Sequence, residues 1–219
     1  MNMNEYIVKE IKELSLESSI NSAEKICNEI PVTHIPVADK NILIGCFLES
    51  DIRTIENKDD TIGNHKEALT FFYATETDTV LDLITIFSDN DTNILPVINE
   101  HKEYLGYYEL NDVLDVFNSS PFLYQHGIII TVEKLKKDLS ISEIAQIVES
   151  NNARLLGIYI SKEKSDLLQV TLKVSSEEIN TVIQTFRRYN YAIISEHNDD
   201  SYLKDLKNRS DYLQKYLDM

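Results

Sequence analysis

The strongest constraint in this sequence is an internal repeat. Shifted by 60 residues, Leu14–Val37 lies over Ala74–Val97 without a gap. Ile20 then falls on Val80, Ala23 on Leu83, Ile26 on Ile86 and Cys27 on Phe87, and His34-Ile35-Pro36-Val37 falls on Ile94-Leu95-Pro96-Val97. After one inserted residue in the second copy, Gly45 matches Gly106 and Asp51 matches Asp112, with six residues from Gly to Asp in both. A unit repeated at this period is a single supersecondary block that buries its apolar side against its twin.

Each copy spells the same order of elements. Ile20, Ala23, Ile26, Cys27 and Ile30 recur at helical spacing, as do Val80, Leu83, Ile84, Ile86 and Phe87. Ser19 and Thr79 precede these runs in N-cap position. A Pro-Val strand follows, then a turn at Asp39–Asn41 or Asn99–Lys102, then a short apolar strand at Ile42–Leu48 or Tyr104–Tyr108. Asp51 or Asp112 then opens a second helix. The expected order is helix, strand, strand, helix, twice, with the Pro-Val strands of the two copies buried together.

Over residues 1–120 this pattern resembles the CBS domain, whose repeats pair into one module (here about 1–60 and 61–120). In that family the paired repeats form a cleft that often holds an adenosine compound. A Thr or Ser three residues after the strand Gly, and an Asp three further on, contact ribose and phosphate. The resemblance places Asp51 and Asp112 at the Asp positions, where a carboxylate can accept from both ribose hydroxyls. Leu48 and Glu109 occupy the hydroxyl positions. Leucine offers no donor, and glutamate repels a phosphate. Pro36 and Pro96 complete the candidate ligand set. Residue chemistry alone also reads Asp51 and Asp112 as helix N-caps and the two prolines as strand-start or edge residues. The ligands implied are an adenine nucleotide or S-adenosylmethionine, bound as an effector rather than a required cofactor.

The second half reads differently. Asn118-Ser119-Ser120-Pro121 is a turn-rich boundary. Gly127–Val132 is an apolar strand, and Ser142 to Asn151 is helical with Ile144, Ile147 and Val148 on one face. Leu155–Ser161 and Leu167–Val174 form a hairpin across Lys162–Asp166. Glu177–Tyr189 is helical, and Ala192–Ser195 is a last strand. The order βαββαβ implies a four-stranded, ferredoxin-like sheet with both helices on one face. Over 126–197 it resembles the ACT domain, a family that often binds amino acids at domain interfaces through the loop after its first strand. Here that loop is Leu135–Ser140, without glycine, and Leu139, Ser140 and Ile141 lie nearest the ligand position. A CBS pair followed by an ACT-like domain is similar to bacterial proteins of the acetoin-utilisation type. Residues 198–219 are read as a C-terminal helix, with Leu203, Leu206, Leu213 and Leu217 along one seam, docked on its own chain or on a partner. The fold class expected is therefore α+β.

Charge and chemistry narrow the function. The chain carries 37 acidic against 21 basic residues, a net charge of −16. Residues 1–120 hold 23 acidic and 8 basic residues, and residues 121–219 hold 14 and 13. Nucleic-acid binding needs a positive face and is not expected. No window of about 18 uncharged apolar residues occurs, so no membrane span is expected. Glu5, Lys9 and Glu10 break any apolar signal core near the start. Cys27 and Cys46 sit among apolar neighbours and read as buried thiols of a reducing, cytoplasmic compartment. No nucleophile motif, metal spacing or phosphate-cradling glycine loop appears, and His34, His65, His101, His126 and His197 are scattered. His34 reads as a strand residue at a partly open edge. The chain is expected to be a regulatory, small-molecule-sensing homodimer without catalytic or metal-binding residues. The alternative is a ligand-free interaction protein.

Overall fold

The computed structural model describes residues 3–11 and 14–195, and the helix expected over 198–219 lies outside them. The chain divides into two compact units, residues 1–119 and 120–219.

The first unit begins with α1 (Ile20–Glu29), β1 (His34–Asp39), β2 (Ile42–Leu48) and α2 (Glu49–Thr54). The cap expected at Ser19 is present: its hydroxyl accepts from the Ser22 amide at 3.2 Å. Lys40 and Asn41 both hold positive φ, the backbone that a two-residue hairpin turn requires. β3 (Leu69–Thr70) and β4 (Ala74–Thr75) lead into the second copy, α3 (Val80–Asp89), β5 (Ile94–Ile98), β6 (Tyr104–Glu109) and α4 (Leu110–Asn118). Thr79 and Asp82 cap α3 reciprocally, and the Thr79 hydrogen bonds hold the Asp82 carboxyl below its usual range.

The copies interlock. β1, β2 and β3 form one sheet, and β4, β5 and β6 form another. Leu14 bridges Val37 in parallel, and Ala74, 60 residues on, pairs Val97 in parallel. Gly45 and Gly106 occupy matched environments, each overlain by the segment that leads into the other repeat. A Cβ at Gly45 would lie 2.9 Å from the Thr70 carbonyl, and one at Gly106 would lie 2.4 Å from the Val8 carbonyl. The cores interleave in the same sense: Cys46 of β2 packs in the cluster built around Leu83, Phe87 and Leu95, while Tyr107 of β6 packs with Ile20, Ile35 and Ile52.

Three local expectations are corrected. The second helices start at Glu49 and Leu110, so Asp51 and Asp112 are third residues of the first turn and not N-caps. A carboxylate there still complements the helix dipole. Pro36 and Pro96 are not strand starts; each is the buried third residue of its strand, facing Cys46 and Tyr107 respectively, and while Pro36 lies on β1 at the edge of its sheet, Pro96 lies on β5 between β4 and β6. Pro36 is tolerated because its carbonyl side faces Leu14, whose amide donates to it at 3.1 Å. Its missing N–H points the same way and takes nothing from the β1–β2 ladder. His34 is buried, not at an open edge, with its ring edge-on to Phe72 at 5.2 Å.

The second unit opens with α5 (Pro121–Tyr124), then β7 (Ile128–Leu135), α6 (Ile141–Ser150), β8 (Arg154–Lys164), β9 (Leu167–Ser175), α7 (Ile179–Arg188) and β10 (Ala192–Ile193). The sheet order is β10-β7-β9-β8 with every neighbour antiparallel. One sheet face, with Ile130, Val132, Val170 and Leu172, packs on Ile144, Ile147, Val182, Ile183 and Phe186 of the two long helices. The hairpin strands run further than their apolar residues, to Lys164 and from Leu167, so the turn is tighter than Lys162–Asp166.

Candidate functional site

The two copies are stitched together at matched residues. Thr33 and Asn93, 60 positions apart, meet at the pseudo-twofold axis. The Thr33 amide donates to Asn93 Oδ1 at 2.9 Å and its hydroxyl donates to the same atom at 3.1 Å. The Asn93 amide donates back to Thr33 Oγ1 at 3.0 Å. Asn93 Nδ2 donates to the Pro31 carbonyl at 2.6 Å. The axis also relates the helix entries: the Glu49 amide donates to the Thr33 carbonyl at 2.8 Å, and the Leu110 amide donates to the Asn93 carbonyl at 3.0 Å.

Beside this knot lies a cleft of ≈ 260 Å³. Ile30, Pro31 and Val32, in the loop after α1 of the first repeat, form one wall. Asn93 and Ile94 form its floor, and Glu109, Leu110 and Asn111, where β6 passes into α4, form the other wall. Asp112 follows directly in the first turn of α4. The N-cap Glu109 makes no side-chain capping bond, so its carboxylate leaves the first turn of α4 uncapped. Asn93 has its side chain committed on both ends and serves as scaffold. No lysine or arginine lines this cleft.

The matched position on the other side of the axis differs. His34 stands where the first cleft has Ile94, near Asp91 and Asp51. Burial lowers the His34 pKa, and the two carboxylates act in the opposite direction. His34 Nδ1 lies 3.0 Å from Thr33 Oγ1. Arg53 donates to Glu49 at 2.7 Å and to Asn28 at 3.2 Å, spanning α1 and α2 behind Leu48.

The sequence-derived residues therefore separate. Glu109 lines the first cleft and Asp112, in the first turn of α4, does not, whereas Leu48 and Asp51 belong to the matched position around His34. Pro36 and Pro96 lie in the buried strands and do not line this cleft. Residues 30–32, Asn93 and Asn111 were not anticipated; the one sequence signal for Asn93 is that it falls on Thr33 in the 60-residue alignment.

Comparison with known proteins bears on this unit. Residues 69–119 match the CBS domain family. The matched span runs from β3 to the end of α4 and includes Pro96, Gly106, Glu109 and Asp112. Solved structures similar to the chain include a CBS domain pair/ACT domain protein from Thermotoga maritima, at 16% identity and TM-score 0.49 over 53% of this chain and 96% of that one. The CBS pair of a putative Mg2+ transporter from Shewanella oneidensis shows 18% identity and TM-score 0.47 over 53% and 70%. CBSX2, solved in complex with AMP, shows 15% identity and TM-score 0.45 over 53% and 95%. No curated protein sequence matches the chain. The first repeat, outside the CBS match, carries the same element order as the second.

Burial pushes the thiols of Cys27 and Cys46 above their usual range, and neither is disulfide-bonded. Among the described residues no group of three His, Cys, Asp or Glu could hold a metal, and no helix is long and apolar enough to cross a membrane.

Proposed function

We propose that this chain is a regulatory, non-catalytic sensor whose inter-repeat cleft takes an adenosine-type small molecule. The observation that carries this reading is the lining. Ile30, Pro31, Val32 and Ile94 offer an apolar wall for a heteroaromatic base, and Asp112, one residue beyond the lining residue Asn111 in the first turn of α4, is the carboxylate proposed to accept from ribose hydroxyls. The volume of ≈ 260 Å³ lies below the ≈ 300–1,000 Å³ of pockets that enclose a drug-sized ligand, so the cleft would take the adenosine part and leave the 5′ substituent reaching out of it. Glu109 and the absence of cations disfavour a phosphate. S-adenosylmethionine, a net cation, fits this field better than AMP or ATP, so the nucleotide part of the ligand class ranks second. Ligand binding would regulate by favouring one packing of the repeats through differential affinity.

The second unit supports an ACT-like, ferredoxin-like reading through its strand order. An amino-acid ligand there is the weaker alternative, because Ser140 in the candidate loop is already engaged as the cap of α6, accepting from the Glu143 amide at 3.3 Å. The buried free thiols fit a cytoplasmic protein, and homodimerisation through the C-terminal segment accords with this reading. A ligand-free interaction role is the second reading, favoured by Leu48 at a position where a hydroxyl would serve a ligand.

Thermal-shift and calorimetric titration of the full chain with S-adenosylmethionine, adenosine, AMP and ATP tests the proposal. S-adenosylmethionine or adenosine should stabilise at sub-millimolar concentration, and Asp112→Asn should abolish the shift. No response to any of the four at millimolar concentration would sink the sensor reading, and AMP binding tenfold tighter than adenosine would sink the charge argument.

A further inference from the structure

Pseudo-symmetry singles out one buried titratable group. β1 opens on His34, and β5 opens on its equivalent, Ile94. One copy thus places an ionisable ring where the other places an aliphatic side chain. His34 is 5% exposed, and Phe72 stands edge-on to it at 5.2 Å. The hydrogen bonds of the Thr33–Asn93 knot fix how the ring is held. Thr33 Oγ1 has one proton and two lone pairs. The Asn93 amide donates to one lone pair at 3.0 Å, and the Thr33 proton goes to Asn93 Oδ1 at 3.1 Å. Thr92 Oγ1 lies 3.2 Å from Thr33 Oγ1 but commits its own proton to the Ile94 carbonyl at 2.6 Å. His34 Nδ1, 3.0 Å from Thr33 Oγ1, therefore meets the remaining lone pair, and only an Nδ1–H satisfies that contact. Neutral His34 then carries its own lone pair on Nε2, which takes no hydrogen bond from any described residue.

A proton added to this ring goes to Nε2. It creates an imidazolium held by one hydroxyl, in a site nearly closed to water, and such a charge is costly. The charged groups that act on the ring are Asp51, in the first turn of α2, and Asp91, in the turn between α3 and β5. One comes from each repeat, and neither forms a hydrogen bond or ion pair with the ring. Phe72 and Thr33, which touch it, are uncharged. Burial outweighs the two carboxylates and holds the folded pKa below the ordinary histidine value of 6.5. We propose that His34 makes the repeat interface acid-responsive: the ring is neutral and Nδ1–H in the closed interface, and it takes up a proton by leaving Thr33 and Phe72 for water, which loosens the contact between β1 and β5. A group that is neutral when buried and protonated when released contributes stability that is complete above pH 6.5 and declines below it, toward the lower folded value. This inference does not rest on a ligand in the cleft.

The test uses the full chain. Long-range proton–nitrogen correlation NMR at pH 7.5 should show His34 as the Nδ1–H tautomer. Hydrogen exchange read by mass spectrometry, corrected for the intrinsic exchange rate, should show opening of β1 and β5 rising by up to about tenfold per pH unit below 6.5, with peptides of the second unit as the reference. His34→Ile copies the residue of the second repeat, and His34→Asn keeps a side-chain N–H for Thr33 without a titratable group. In both variants the opening of β1 and β5 should change less than twofold between pH 7.5 and 5. An Nε2–H tautomer at pH 7.5, an opening of the parent chain that ignores pH, or a pH slope that survives in a folded His34 variant overturns the proposal.

Discussion

Removing the Asn93 side chain should loosen the whole repeat interface, and the size of the effect follows from its bonds. Asn93→Ala deletes two acceptances, from the Thr33 amide and hydroxyl, and one donation, to Pro31. Each such bond contributes about 0.5–1.5 kcal/mol net, so the loss is about 2–4 kcal/mol, with the lower half favoured because Asn93 is half-buried. At about 1.4 kcal/mol per decade, amides of β1 and β5 that exchange by opening of this interface should lose roughly 30- to 1000-fold of protection. Hydrogen exchange read by mass spectrometry separates that loss from the second unit, whose peptides serve as the reference. Thr33→Val removes the hydroxyl that both donates to Asn93 Oδ1 and accepts from the Asn93 amide, so the two substitutions should couple. A double-mutant cycle should give an interaction energy of about 0.5–3 kcal/mol. A loss below about 0.5 kcal/mol for Asn93→Ala, or strict additivity with Thr33→Val, would refute the view that this pair stitches the repeats.

Gly106→Ala should be far more damaging than Gly45→Ala, because Gly106 combines φ +142° with a Cβ position 2.4 Å from the Val8 carbonyl, whereas Gly45 has ordinary φ. Exchange at Val8 and Tyr107, whose amides bond each other's carbonyls, should report the lifted N-terminal segment first, and retained protection there would count against the close approach. The second unit should lose stability in acid through Glu143, which accepts from Lys134 Nζ at 2.8 Å and from the Tyr191 hydroxyl at 2.7 Å. Both bonds depress its folded pKa, Lys134 most strongly, so this contribution is complete above the ordinary glutamate value of 4.5 and disappears as pH falls through the lower folded value. Glu143→Gln should flatten the stability profile below pH 4.5, and an unchanged acid slope would show that the pair carries no linkage.

The pairing of the repeats was legible because it is written in spacing. The 60-residue offset that aligns Leu14 with Ala74 and Val37 with Val97 reappears as two equivalent parallel contacts. The order βαββαβ was legible for a similar reason, since strand and helix periods alternate cleanly from Gly127 to Ile193. Boundaries were not. Aspartate suits both an N-cap and the third residue of a first turn, so Asp51 and Asp112 could not say where α2 and α4 begin. The edge reading suits Pro36 on β1 and fails for Pro96 on the central β5, because spacing does not say which strand of a repeat ends its sheet.

The cleft was illegible for a deeper reason. Its walls come from residues 30–32 and 109–111, which share no periodic signal and meet only because the repeats cross. The repeat also conceals its own asymmetry: equivalent positions hold Ile94 and His34, Leu110 and Glu49, Leu114 and Arg53. The fold constrains the buried members of each pair, which stay apolar in both copies, as Ala23/Leu83 and Ile52/Val113 do. It leaves the cleft and outward positions free, and there the two copies diverge in charge and polarity. Conserved geometry between the repeats therefore locates the scaffold, and the departures from it locate function: a carboxylate beside an apolar wall on one side of the axis and a buried histidine on the other.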